Sequence, residues 1–385
     1  MQDFFEFRLT PRVMYKSGLA FDMSAELATL GGTKAFIVTD AGVLKSGLVD
    51  RVREAISAVI EVVGVYSDVP PNSSVRVVEA AAAEAKAVGA DILVAIGGGS
   101  PLDTAKGMRI ILTEGGNLLD YEGVNVLERP LVPMVAIPTT AGTGSEATNF
   151  AVIKDDDNHV KLSFTSPYLA PELAILDPQM TATLPAHLAA ATGMDALTHA
   201  VEAYVSVEHE PMSDALALGA IEMVSNYLRE ATHQGGDNEN ARGQMLIASA
   251  MAGIAFTNAY VGAVHALAHA TGGHFPVHHG LANSIFLPHV IVFNAPAEPE
   301  RYSRIGRAFG VNTGGRSREE VIGDLVAAIT QLALDCDLPI RLRDAGVPED
   351  ALEMLAEQAF GDGALYHNPL PATAEDLLGI LRAAW

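Results

Sequence analysis

The sequence predicts an α/β domain built on a parallel sheet, followed by an all-helical domain, and three observations carry that expectation. Apolar runs of strand length alternate with helical stretches over the first half. After about residue 184, 3.6-residue periodicity replaces them almost to the C-terminus. Two turns rich in glycine and hydroxyl residues each follow an apolar run, as phosphate-cradling loops do in parallel α/β sheets. With 385 residues the chain can bury two cores, and the expected division is 1–184 and 185–385.

The elements follow in order. KAFIVT (34–39) reads as a strand, Val49 to Val59 as a helix, and IEVVGVYSD as a second strand. The alanine-rich VRVVEAAAAEAKAVGA is helical, DILVAI (91–96) a strand, PLDTAKGMRIIL a helix and LVPMVAIP (131–138) a strand. Successive units of this kind predict βαβ crossovers and a sheet covered by helices. In TLPAHLAAATGMDALTHAVEAYVS, Pro185 stands near a helix start, and helical periodicity runs on from there.

Composition narrows the function classes. Hydrophobic residues make up 49% and charged residues 18%, which suits a globular chain. The net charge of −23, with no cluster of Lys and Arg, argues against nucleic acid and anionic membranes as partners. The single cysteine, Cys336, excludes an internal disulfide and a CxxC metal site. MQDFFEFRLTPRV lacks the basic-then-apolar order of a signal peptide, so a cytoplasmic protein is expected. Gly243 to Ala297 holds 55 residues without Asp, Glu, Lys or Arg. Ser249, Thr257, Asn258 and several histidines interrupt it, which favours a buried helix pair over a membrane span.

The chemistry-bearing residues lie in four stretches. DILVAIGGGSPLDTAK (91–106) is strand, glycine turn and helix, which aims backbone amides and a positive helix end at a phosphate. AIPTTAGTGSEAT (136–148) offers hydroxyls and amides to a diphosphate or a ribose. Asp40 ends the first strand of a βαβ unit, where a carboxylate can accept both ribose hydroxyls and repel a 2′-phosphate; an Asp that begins a turn is, on its own, more often a helix cap. In the second half, Asp195 and His199 stand four apart on one helix face, and His265 and His269 repeat the spacing. VHALAHATGGHFPVHHG (264–280) adds His274, His278 and His279, with His289 beyond. A carboxylate and imidazoles converging from separate helices can hold a divalent transition metal, although spacing alone does not choose among these histidines.

GGGSPLDTAK, IPTTAGTGSEAT, GMDALTHAVEAYVS and HALAHATGGHFPVHHGLANSIFLPHV, in that order, resemble the iron-containing (group III) alcohol dehydrogenases, and the similarity spans nearly the whole chain. The resemblance implies a dehydroquinate synthase-like architecture: a Rossmann-like dinucleotide-binding domain and a helical metal-binding, catalytic domain. It implies Fe²⁺, or Zn²⁺, held by Asp195, His199, His265 and His279, with His269 as an additional active-site histidine. Many relatives have proline where this chain has His278. It also implies NAD, contacted by Asp40, Asn72, Gly98, Gly99, Ser100, Asp103, Thr139, Thr140, Thr143 and Lys161.

The activity so implied is oxidation of a small primary alcohol or diol, or reduction of its aldehyde, in a homodimer or larger homo-oligomer. Phe150, Phe164, Leu169 and Phe256 are apolar pocket candidates that could equally be core. The alternatives are a glycerol dehydrogenase-like enzyme, a dehydroquinate synthase-like lyase and a non-catalytic metal-binding protein. The lyase would need several Lys and Arg around a phosphorylated substrate, and the stretch from Gly243 to Ala297 has none.

Overall fold

The computed structural model describes residues 4–9, 11–158, 160–234 and 236–385. The chain forms two compact units, one of Leu9–Leu184 and one of Pro185–Trp385 together with the first residues up to Arg8. The initial segment therefore groups with the helical unit rather than with the first domain as expected. The Arg8 amide donates to Asn258 Oδ1 at 2.7 Å, and Asn258 Nδ2 donates to the Arg8 carbonyl at 3.2 Å.

In the first unit, strands β1 (Arg12–Tyr15), β2 (Lys34–Val38), β3 (Glu61–Tyr66), β4 (Ile92–Gly97), β5 (Gly123–Val124), β6 (Met134–Pro138), β7 (Phe150–Asp155), β8 (Val160–Thr165) and β9 (Leu173–Leu176) form two sheets. The larger is parallel throughout, in the order β1-β9-β6-β4-β2-β3. Helices α1 (Ser24–Leu27), α2 (Ala41–Lys45), α3 (Leu48–Ser57), α4 (Val75–Ala87) and α5 (Gly99–Glu114) belong to the same unit.

Side-chain alternation explains why this sheet needs cover on both faces. Phe36, Val38, Leu93, Ala95, Met134 and Ala136 share one core with Val78, Ala81 and Ala82 of α4 and Leu102 and Ala105 of α5. The alternate residues Ala35, Ile37, Ile92, Val94, Ile96, Val135 and Ile137 share the other with Leu48, Val49, Val52 and Ile56 of α3. Strands buried on both faces read as continuous apolar runs, which is why they are legible in sequence. The smaller sheet, β5-β8-β7, was not among the expected elements. FAVIKD and VKLSFT pair antiparallel and bury only alternate residues: Lys161, Ser163 and Thr165 interrupt the second, while Phe150–Ile153 is an apolar run of only four residues.

The second unit contains α6 (Ala186–Val205), α7 (Pro211–His233), α8 (Glu239–Ala259), α9 (Ala263–His274), α10 (His279–Asn294), α11 (Pro299–Phe309), α12 (Arg318–Asp335), α13 (Leu352–Phe360) and α14 (Ala374–Ala384). From Ala190 to Val205 every residue of α6 is buried, so this stretch has no solvent face. The uncharged stretch forms α8, α9 and α10. Among the described residues no single helix is long and apolar enough to cross a membrane, and α8 and α9 meet at a bend of 104°. Tyr260, with φ 63°, sits at that bend.

Candidate metal centre and nucleotide loops

Helical spacing sets Asp195 and His199 on the same face of α6, both almost fully buried. α9 contributes His265, and the first residue of α10 is His279. Gly280 makes this meeting possible: a Cβ there would lie 2.2 Å from the Ala191 carbonyl oxygen of α6 and 3.1 Å from Asp195 Cβ. One potential ligand atom from each of Asp195, His265 and His279 lies within 4.8 Å of the others. His199, expected as a fourth ligand, stands beside this set rather than in it, with Nε2 at 3.9 Å from Asp195 Oδ1 and its ring stacked on His265 at 4.7 Å between centroids. Its other face meets Phe256 at 4.3 Å.

Asn283, one turn beyond His279, marks the point on which these side chains converge. Its amide nitrogen lies 2.7 Å from Asp195 Oδ1 and 3.2 Å from both His265 Nε2 and His279 Nε2. Asp195 Oδ1 accepts there, and in the tautomers that carry their proton on Nδ1 the two Nε2 atoms offer lone pairs to the same point, an arrangement that suits a cation.

Carboxylates orient the imidazoles from behind. A carboxylate can only accept, so His265 Nδ1–H donates to Glu202 Oε2, at 2.5 Å, and Nε2 keeps its lone pair toward the cluster. Burial pushes the Glu202 carboxyl up to about 7, against the opposing pull of the Gly262 and Val264 amides and of His199. By the same reasoning His269 Nδ1–H donates to Asp362 Oδ2, at 2.9 Å. The His269 ring stacks on His279 at 5.5 Å and stands edge-on to His265 at 5.9 Å. Although burial raises the Asp362 carboxyl, His269 and the Ala364 amide outweigh it and hold it below its ordinary value.

The other histidine candidates do not join. His274 and His278 are exposed, and His289 is half-buried farther along α10. Of the two adjacent imidazoles, His279 is the one in the cluster. Phe164 and Leu169 belong to the core of the α/β unit, Phe150 is half-buried on β7, and Phe256 lies against His199. Sequence reasoning missed Glu202, Asn283 and Asp362. Helical spacing held a signal for two of them, since Glu202 follows His199 by three and Asn283 follows His279 by four; Asp362, 93 residues from His269, gave none.

In the α/β unit, β4 delivers the chain to Gly98, the N-cap of α5, which has no side chain with which to cap the helix. The first amides of this 16-residue helix are thus not taken by a side-chain cap. A Cβ on Gly98 would lie 3.3 Å from Thr140, and one on Gly99 3.1 Å from Thr143, so the two loops approach closely. Thr140 Oγ1 is buried and has no hydrogen-bond partner among the described residues. Thr139 is buried and its amide donates to the Gly97 carbonyl at 3.0 Å; Ser100 Oγ accepts from the amide of Asn72, whose φ is 56°.

Two residues have other commitments. Asp40 caps α2, its Oδ1 accepting from the amides of Gly42 and Val43 at 2.8 and 2.9 Å. Asp103 accepts from Ser145 Oγ at 2.6 Å and from the Val152 amide at 3.0 Å, so both its oxygens are engaged within the chain. Lys161 lies on β8 opposite Lys154, and its charge is one of those that oppose the burial-driven rise of Asp103. Beneath the loops, fully buried Lys106 donates to Ser145 Oγ, Thr148 Oγ1 and the Phe150 carbonyl at 3.0, 2.9 and 2.6 Å. Burial pulls Lys106 down to about 8 and pushes neighbouring Glu146 up to about 7.

Comparison with known proteins meets this geometry. Residues 10–178 match the family described as iron-containing alcohol dehydrogenase, and residues 189–385 match the C-terminal part of the Fe-containing alcohol dehydrogenase family. The chain is 40% identical over 380 residues to a 1,3-propanediol dehydrogenase of Klebsiella pneumoniae, covering 98% of each. It is 38% identical over 378 residues to an NAD-dependent methanol dehydrogenase of Bacillus methanolicus, covering 98% of this chain and 99% of the relative. A crystal structure of 1,3-propanediol oxidoreductase superposes with a TM-score of 0.96 at 39% identity, covering 99% of this chain and all of that one. The chain belongs to the iron-containing alcohol dehydrogenase family and is an oxidoreductase acting on CH–OH groups.

Proposed function

We propose that this protein is an NAD-dependent, divalent-metal alcohol dehydrogenase, with Fe²⁺ as the working ion, that interconverts a small primary alcohol or diol and its aldehyde. The observation that carries the reading is the convergence of Asp195, His265 and His279, three groups suited to one cation, with His199 beside them. NAD is favoured by the open helix end after Gly98, by the unpartnered Thr140 hydroxyl and by a relative whose name states that cofactor. Small alcohols are favoured because the relatives are named for propanediol and methanol.

When bound, a cation held by these residues would supply Lewis-acid polarisation and a nicotinamide the hydride-accepting chemistry. The chain's own part is to prepare for both. Asp195 supplies negative charge among neutral imidazoles, which favours retention of a hard cation. With its Nδ1–H committed to Asp362, His269 has Nε2 left to take up and pass on a proton. The α5 amides and Thr140 would hold the diphosphate, Asp40 would keep its second oxygen for a ribose, and Asp103 would steady the loop through Ser145 rather than touch the cofactor.

Metal analysis of protein purified without air, with NAD-linked oxidation of methanol, ethanol and 1,3-propanediol measured before and after chelation, tests this reading. About one metal per chain, and activity that chelation removes and Fe²⁺ restores, is expected. Chelator-resistant oxidation by metal-free protein would overturn it.

A further inference from the structure

Behind His265 lies a buried carboxylate that no sequence motif had singled out. Glu202, 4% exposed, projects from α6 one turn beyond His199 and uses both oxygens on one short segment. Oε1 accepts from the Val264 amide at 2.6 Å, and Oε2 accepts from His265 Nδ1 at 2.5 Å. The N-cap of α9 is Gly262, which brings no capping side chain of its own. Glu202 takes that role from a helix distant in sequence, joined by Asn368, whose Oδ1 accepts from the Ala263 amide at 3.2 Å. Glycine at 262 allows the approach: a Cβ there would lie 2.8 Å from Asn368 Oδ1 and 3.3 Å from Glu202 Oε1. The start of α9 and the imidazole on its first turn are thus fixed by the same carboxylate.

We propose that Glu202 is a positioning residue for metal retention: by accepting from Nδ1 it locks His265 in the tautomer whose Nε2 lone pair faces Asp195 and His279. The inference rests on His265 being a metal ligand. It differs from a packing role in one chemical respect. In Glu202→Gln the Val264 amide still requires an acceptor, so the amide oxygen turns to it and the NH₂ group faces His265 Nδ1. Nδ1 must then accept, and the imidazole proton moves to Nε2, the atom that has to bind the cation. A near-isosteric change would in this way spoil the ligand without leaving a cavity.

The test is anaerobic competition for Fe²⁺ between the full chain and a colorimetric chelator, with thermal unfolding of the metal-free proteins followed in parallel. Glu202→Gln should bind Fe²⁺ about 10- to 100-fold more weakly than wild type. In a His265→Ala background the same change should add less than about twofold, because a residue acting through His265 has nothing left to act on. Glu202→Asp, which packs less well but can only accept, should hold Fe²⁺ more tightly than Glu202→Gln. Unchanged affinity in Glu202→Gln, an equal loss with and without His265, or the reverse order of Asp and Gln would overturn the proposal. Should Glu202→Gln not fold, ¹⁵N spectra of histidine-labelled, metal-free wild type, assigned with His265→Gln, decide the tautomer: a proton on Nδ1 sustains the proposal and one on Nε2 overturns it. Wild type that binds no Fe²⁺ would remove the functional reading as well, whereas Fe²⁺ binding unaffected by Glu202→Gln would remove this inference alone.

Discussion

The two sites are built on opposite principles. The loops after β4 and β6 are made largely of backbone: a glycine N-cap, helix amides and two turns packed so closely that a methyl added at Gly98 or Gly99 would crowd Thr140 or Thr143. The metal cluster is made of side chains from three helices, with carboxylates standing behind the imidazoles. A backbone site is specified by a contiguous stretch of sequence, whereas a side-chain site is specified by packing. The first should fail by degrees when one residue changes, and the second all at once.

The largest effect is therefore expected at the cluster. His265→Ala should lose its metal and about a thousandfold in turnover, since Lewis-acid stabilisation is worth several kcal/mol and each factor of ten corresponds to about 1.4 kcal/mol. Metal analysis and kcat measured together check this, and retention of both would place the ligand elsewhere. His269→Ala should keep its metal while kcat falls about a hundredfold, the typical contribution of a positioned proton-transfer group. Full activity in the metal-loaded variant would remove His269 from the chemistry.

Effects at the loops should be smaller and should fall on cofactor binding. Gly99→Ala places a Cβ 3.1 Å from Thr143 and should raise KM for NAD about tenfold, or about 1.4 kcal/mol, with metal content unchanged. Asp40→Gly should narrow the preference for NAD over NADP by removing a negative charge from the ribose side. A wild type that prefers NADP would show that Asp40 serves only as the cap of α2.

The smallest effect concerns stability. Glu146 is buried and its carboxyl is raised from 4.5 to about 7, burial being the largest cause, so between those values the folded state holds a proton that the unfolded chain releases. Its contribution to stability is present below pH 4.5 and is lost as pH rises to about 7. Glu146→Gln, uncharged throughout, should flatten that decline and raise Tm by a few degrees at pH 8 relative to wild type. A Tm profile parallel to wild type across this range would show that Glu146 does not titrate as its burial implies.

How far each region was legible follows from the same contrast. The strands β2, β4 and β6 read directly because both faces are buried and their apolar runs are unbroken, and the half-buried edge strand β3 read from its valines. The pair β7 and β8 did not, because half-burial leaves Lys161, Ser163 and Thr165 at alternate positions of β8 and only four successive apolar residues in β7. Asp195 with His199, and His265 with His269, were visible as helical spacings on α6 and α9. Glu202 lay on the same pattern yet resembled any buried helix residue until His265 was found against it. Asp362 could not be read at all, since nothing local to it marks the imidazole it holds.

The sequence by itself determined what has a short period: the alternation of strands and helices, the glycine turns that begin α5 and the family to which the motifs belong. Only the tertiary structure decided what depends on distant segments meeting. It brought His279 rather than His278 to Asp195, committed Asp40 to a helix cap and Asp103 to Ser145, and set Glu202 and Asp362 behind two imidazoles. The physical reason is that backbone geometry and hydrophobic periodicity are encoded within a few residues. A hydrogen bond across 62 or 93 positions exists only once the helices have packed and its two ends have left water together.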